Sequence, residues 1–315
     1  MILNTGQRTD IPAFYTAWFM NRVKEGFVLV RNPFHPQAVT RYEIRPDLVD
    51  LIGFCSKNPE PMLSHVPLLD AMGFGQFWYV TITPYGRDIE PGVPDKHKML
   101  KVFRQLSSLV GKERIGWRYD PILLNEKYTA AYHRRAFAAM AGELEGATEN
   151  CVISFIQPYQ KLSRTFPELR PLTQEEKISI GKELIQIAAD HGMKIRPCGM
   201  GDLLLPYGSF GSACMTRELY QTAAGCSLRF PHYKPSRSEC SCYLSCDIGA
   251  YSSCAHFCRY CYANADPQKI RENMRRHDPD SPFLIGTSLP GDVIHQAEQK
   301  SWKLSAPPPL QPELF

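Results

Sequence analysis

Apolar and polar positions along the chain follow two alternating periods. Short runs rich in β-branched and aromatic residues mark strands at Met1–Thr5, Phe27–Arg31, Leu51–Cys55, Phe77–Thr83, Ile115–Arg118, Cys151–Phe155 and Lys194–Cys198. Between them, apolar residues recur at helical spacing, as in Met99, Leu100, Val102, Phe103, Leu106 and Leu109. Pro12–Lys24 follows Asp10, with proline where a first helical turn accepts it. Thr173-Gln-Glu-Glu176 reads as a capping box opening the helix of Ile178, Leu184, Ile185 and Ala188. His133–Leu144 is a further helix.

Strands that alternate with helices predict an α/β fold with a parallel sheet. So many strands before Cys198, and an eighth at Cys246–Tyr251, favour a (β/α) barrel of the TIM type, whose usual size is roughly 250 residues. A doubly wound open sheet is the runner-up. The barrel body is expected over 1–239, a cysteine-rich segment closing it over 240–278, and an extension with a proline-rich tail over 279–315.

Composition narrows the class. The 315 residues are 43% hydrophobic, with a formal net charge of +4. No apolar run reaches the roughly 20 residues of a membrane span. The start, MILNTGQRTD, lacks the basic and apolar regions of a signal peptide, so a cytoplasmic location is expected. The basic stretch from Lys269 to Arg276 reads as a solvated helix face rather than a nucleic-acid stripe.

In such barrels chemistry sits where strands end. Arg8, Asp10, Arg31, Lys57, Arg118 and Asp120 fall in those turns and are the candidate catalytic residues. Four cations aimed at one mouth would repel unless they met carboxylates or an anionic ligand. Asp10 and Asp120 are the internal partners within reach. Otherwise a phosphate-bearing small molecule or nucleotide would suit them.

Cysteine usage changes the picture most. Of eleven cysteines, six lie between Cys240 and Cys261. A reducing compartment disfavours disulfides, which leaves metal ligation as the better explanation. Cys254, Cys258 and Cys261 are spaced C-x3-C-x2-C, with Tyr260 before the last. This spacing resembles the signature of the radical S-adenosylmethionine superfamily. A cubane held by protein alone wants four thiolates. The resemblance implies a [4Fe–4S] cluster on three, its fourth iron left open for the amino and carboxylate groups of S-adenosylmethionine. A zinc site, recruiting His256 or Cys240 and Cys242, is the rival. Cys240, Cys242 and Cys246 are equally well read as ligands of a second cluster or zinc ion, as a cover for the first cluster, or as buried thiols.

The segments RTDIPAFY (Arg8–Tyr15), LVRNPF (Leu29–Phe34), KNPEP (Lys57–Pro61), WRYDPI (Trp117–Ile122), DIGAYSSC (Asp247–Cys254) and CRYCYAN (Cys258–Asn264) resemble an uncharacterised bacterial and archaeal family. That family is a domain of unknown function with a radical-SAM-like cysteine cluster at its C-terminus. The resemblance implies a permuted barrel, with the cluster loop after the last strand instead of the first. The Gly-Gly-Glu turn that usually grips the cofactor's amino group is absent. Cys198-Gly-Met-Gly-Asp202 stands in for it, with Asp202 as acceptor and Tyr260 beside the cofactor.

The last residues, Gln311-Pro-Glu-Leu-Phe315, follow a Pro-Pro-Pro spacer and resemble the peptide that docks on the bacterial DNA sliding clamp through Gln311, Leu314 and Phe315. That makes spore photoproduct lyase, a radical SAM repair enzyme, a distant analogy. The reading is then a radical S-adenosylmethionine enzyme. Its rivals are a non-catalytic iron–sulfur or zinc protein recruited to DNA, and a phosphate-handling hydrolase stapled by its cysteines.

Overall fold

The computed structural model describes residues 1–157, 162, 166–211, 213–232, 242–243, 246–264 and 266–304. Its strands are β1 (Ile2–Asn4), β2 (Phe27–Arg31), β3 (Ala38–Glu43), β4 (Leu51–Ser56), β5 (Gln76–Thr81), β6 (Ile115–Ile122), β7 (Asn150–Phe155), β8 (Lys194–Pro197) and β9 (Val293–Gln296). Its helices are α1 (Ile11–Phe14), α2 (Thr16–Glu25), α3 (Val66–Ala71), α4 (Lys96–Val110), α5 (Ala130–Leu144), α6 (Gln174–Asp190), α7 (Arg217–Ala224) and α8 (Pro267–Arg275).

Six strands form one parallel sheet in the order β1-β4-β5-β6-β7-β8. The fold is therefore α/β, but the sheet is open, and the closed barrel expected from the strand count is corrected. Two physical reasons account for this. First, β2 leaves the main sheet and pairs antiparallel with β3, to which β9 adds in parallel. Only six residues separate β2 from β3, too few for the crossover that parallel pairing needs. Second, Cys246–Tyr251 contributes only an isolated parallel bridge, Asn4 to Asp247, on the free side of β1. The Asn4 amide donates to the Cys246 carbonyl at 2.8 Å, and Ile248 donates to the Asn4 carbonyl at 3.0 Å.

Alternation along the strands gives the sheet two faces. One buries Phe54, Trp78, Val80, Trp117, Tyr119 and Ile153 against the helices. The other begins with Ile2, Leu51, Phe77, Tyr79 and Val152, and is covered by residues around α7, with Cys242 and Trp302. Its carboxyl end turns polar, through Asn4, Cys55, Arg118, Asp120 and Ser154. The predicted helix Pro12–Lys24 is divided at Tyr15 into α1 and α2. The Tyr15 hydroxyl donates to the Ser253 carbonyl at 2.5 Å, which ties the break to the cysteine loop. The capping box at Thr173 and Glu176 forms as the sequence predicts.

Candidate functional site

Because the sheet is parallel, segments that follow β1, β4, β5 and the Asp247 bridge emerge along one edge. They carry Asp10, Lys57, Glu90 and the loop of Cys254, Cys258 and Cys261. Asp10 caps α1 by accepting from the Ala13 amide at 3.1 Å. Its other oxygen accepts from the Lys57 amide at 2.7 Å and meets His256 Nε2 at 2.8 Å. His256 Nδ1 faces the Gly92 carbonyl at 3.2 Å. Both ring nitrogens of this histidine, itself inside the cysteine loop, thus face acceptors outside that loop.

Lys57 lies in a buried network. Its Nζ donates to Glu90 at 2.8 Å and stands 5.7 Å from the Tyr260 ring centre. Glu90 also accepts from Thr83 at 2.7 Å and from the Tyr260 hydroxyl. Burial alone would lower the Lys57 ammonium, but charge at Glu90 and Cys258 outweighs it and holds the group above its ordinary value. Burial opposes ionisation of Glu90, yet Lys57 and the two hydroxyls keep its carboxyl below the usual range. A cavity of about 210 Å³, lined by Thr81, Thr83, Arg87, Lys96 and Met99, opens beside Glu90.

The loop is held by close backbone approach. The Gly92 amide donates to the His256 carbonyl at 2.9 Å, and Arg259 donates to the Ile89 carbonyl at 3.0 Å. A Cβ on Gly92 would stand 2.2 Å from the Ala255 oxygen, so no side chain fits there. Phe257, between two of the cysteines, has φ of 53°, a left-handed conformation uncommon outside glycine. Burial pushes the Cys254 thiol well up, with Asp10, Cys258 and Cys261 adding in the same direction. Burial also raises Cys258, against the pull of Lys57. The three thiols therefore lie within electrostatic reach of one another.

On the polar end of the sheet face, Arg118 bonds Asp120, and Asp120 accepts from Ser154. Arg118 is held well above its ordinary value; burial opposes this, and Asp120, Cys55, Cys214 and Cys198 outweigh it. Tyr262 connects the two areas: burial raises its hydroxyl, then the charges of Cys261, Asp247 and Cys55, against Arg118. Among the described residues, the Arg118 Nε and both amide atoms of Asn4, a residue 2% exposed, are buried without a partner. Buried polar atoms of this kind call for a partner, whether ordered water, an ion, a ligand or chain outside the described residues.

The structure brings Arg8, Asp10, Lys57 and Tyr260 to the cysteine loop and places Arg118 and Asp120 on the adjoining sheet face. Arg8 lies 3.9 Å from Asp247 and over the Tyr251 ring. Arg31 is elsewhere, on the small sheet, bonded to Asp292 at 2.8 Å. Asp202 is exposed on the turn after β8, at the opposite end of the main sheet from β1. Cys242 touches Cys214 at 3.2 Å, and Cys214 touches Cys198 at 3.6 Å, apart from the loop. Cys246 lies beneath β1, 3.9 Å from the Ile2 carbonyl, pushed up to about 12 by burial. Cys240 and the peptide of Gln311, Leu314 and Phe315 fall outside the described residues.

Each cation expected at the mouth has a carboxylate, so none of them demands a phosphate. Sequence reasoning found Asp120 for Arg118 but missed Glu90, Asp247 and Asp292. Glu90 lies in the turn after a predicted strand, the same signal that selected Lys57. Among the described residues, no three His, Cys, Asp or Glu side chains are arranged to hold a single metal ion. A tetrahedral ion would draw its thiolates within about 4 Å of each other; a cubane bonds each to a different iron and spaces them wider.

A family model described as a domain of unknown function (DUF1848) matches residues 2–263. Among solved structures, a spore photoproduct lyase complexed with dinucleoside spore photoproduct is similar at 18% identity and a TM-score of 0.36. The match covers 46% of this chain and 50% of that one. No curated protein matches. Among the described residues no helix is long and apolar enough to cross a membrane.

Proposed function

The chain belongs to the DUF1848 family, a domain of unknown function, and we propose that it is an iron–sulfur protein of the radical S-adenosylmethionine kind. Cys254, Cys258 and Cys261 would hold a [4Fe–4S] cluster. One observation carries this reading: a C-x3-C-x2-C loop leaves the carboxyl edge of a parallel sheet with its three thiols in mutual electrostatic reach.

The surrounding residues fit such a group. The strand-like bridge at Asp247, the loop and α8 follow one another as strand, cluster loop and helix, the permuted order that the sequence implies. Lys57 sets a buried cation beside Cys258, where it offsets thiolate charge. Burial holds the Cys254 and Cys258 thiols up, so metal binding there would release their protons. When bound, the cluster and S-adenosylmethionine supply one-electron reduction and hydrogen-atom abstraction. The chain's own part is to orient and to exclude water. Glu90 fixes Lys57 and the Tyr260 hydroxyl. The amide of Asn4 and Nε of Arg118, without a partner among the described residues, would be available to a polar ligand on the sheet face. With Arg118 neutralised by Asp120, that ligand is a polar small molecule or nucleoside rather than one chosen for its phosphate.

Anaerobic reconstitution tests the reading. About four irons per chain are expected, with 5′-deoxyadenosine released once dithionite and S-adenosylmethionine are added. Zinc in place of iron, or a cluster that never cleaves the cofactor, would sink it.

A further inference from the structure

Asn264, three residues beyond Cys261, is 6% exposed and uses every valence of its amide. Its Oδ1 accepts from the Ser253 amide at 2.8 Å and the Cys254 amide at 3.0 Å. Its Nδ2 donates to the Arg8 carbonyl at 3.0 Å and to the Cys261 sulfur at 3.6 Å. One side chain thus closes the loop from its first cysteine to its last and ties it to the turn after β1. Two acceptor and two donor contacts are what a carboxamide offers. A carboxylate lacks the donors, and a hydroxyl lacks the reach.

We propose that Asn264 is the positioning residue of the cysteine loop and sets the reduction potential of the cluster through its bond to the Cys261 sulfur. This rests on the cluster reading above. A donor aimed at a ligand sulfur stabilises the more negative, reduced state and so raises the potential. Holding the Ser253 and Cys254 amides keeps the first ligand in place before the cluster arrives, as outer contacts of a metal site do.

Three measurements on the full chain test this. In the protein without iron, Asn264→Ala should speed hydrogen exchange at the Ser253 and Cys254 amides, a readout that needs no cluster. After reconstitution, Asn264→Ala should release iron to a chelator about 10- to 100-fold faster than the parent, and the cluster that remains should titrate at a more negative midpoint by electron paramagnetic resonance. Asn264→Asp keeps the acceptor oxygen and loses the donor. It should hold iron nearly as well as the parent, again at a more negative midpoint. Unchanged exchange and unchanged iron release in Asn264→Ala would overturn the positioning role. An unchanged midpoint in both variants would overturn the tuning. A parent protein that takes up no iron would instead overturn the cluster reading and leave the exchange result standing.

Discussion

The protein holds two groups of three cysteines, and they share little beyond residue type. Cys254, Cys258 and Cys261 sit on one loop among buried charges, with Lys57, Asp10 and Glu90 acting on them. Cys198, Cys214 and Cys242 come from separate stretches of chain. Their sulfurs touch at 3.6 and 3.2 Å, and Cys214 and Cys242 are packed with Phe77, Tyr79, Met215 and Tyr220. Contact with Cys198, then burial, holds the Cys214 thiol well up. The difference teaches that a thiol's chemistry is set by its neighbours. Fixed charges and amide donors surround the first group, as the proposed cluster would require. Sulfur contacts and aromatic rings let the second serve as core.

The largest effect should separate the groups outright. Cys258→Ala is expected to drop reconstituted iron from about four per chain to near none, while Cys214→Ala leaves the iron unchanged. Equal losses in both would erase the distinction. Next, Glu90→Gln strands the Lys57 ammonium in a buried site and should cost about 3–5 kcal/mol of folding stability in denaturant titration. Cys214→Ala, which strands no charge, should cost about 1 kcal/mol. Matching costs would mean that the charge network is not what distinguishes the loop.

The smallest effect is one of pH. Asp247, which leads into the loop, accepts from the Gln7 amide at 2.8 Å, yet burial raises its carboxyl to about 6. An unfolded aspartate titrates near 4. The folded chain thus holds this proton more tightly, so its contribution is full below about pH 4, is lost as pH rises to about 6, and is flat above. The unfolding free energy across that window should fall by up to about 3 kcal/mol, and Asp247→Asn should remove the slope. Among the described residues, no carboxylate acts on Cys214 in the second group. A slope that survives the substitution would place its source elsewhere.

Much of this was legible in the sequence. Apolar runs located every strand of the main sheet, because burial on both faces of a parallel sheet leaves a local signature. The cysteine spacing and the placement of Asp10 and Lys57 after strands brought them to one edge, since parallel strands deliver their ends together. Tertiary structure alone decided the rest. Nothing local in Phe27–Arg31 distinguishes a strand of the main sheet from one in a hairpin; the short connection to β3 decided that. Glu90 is an ordinary loop residue in the sequence, and Asn264 only closes the CRYCYAN segment, with no role legible there. Their importance comes from contacts with Lys57 across 33 positions and with Arg8 across 256. Residue periodicity records which side of an element is buried, whereas the partner of a buried charge is chosen by the packing of distant segments.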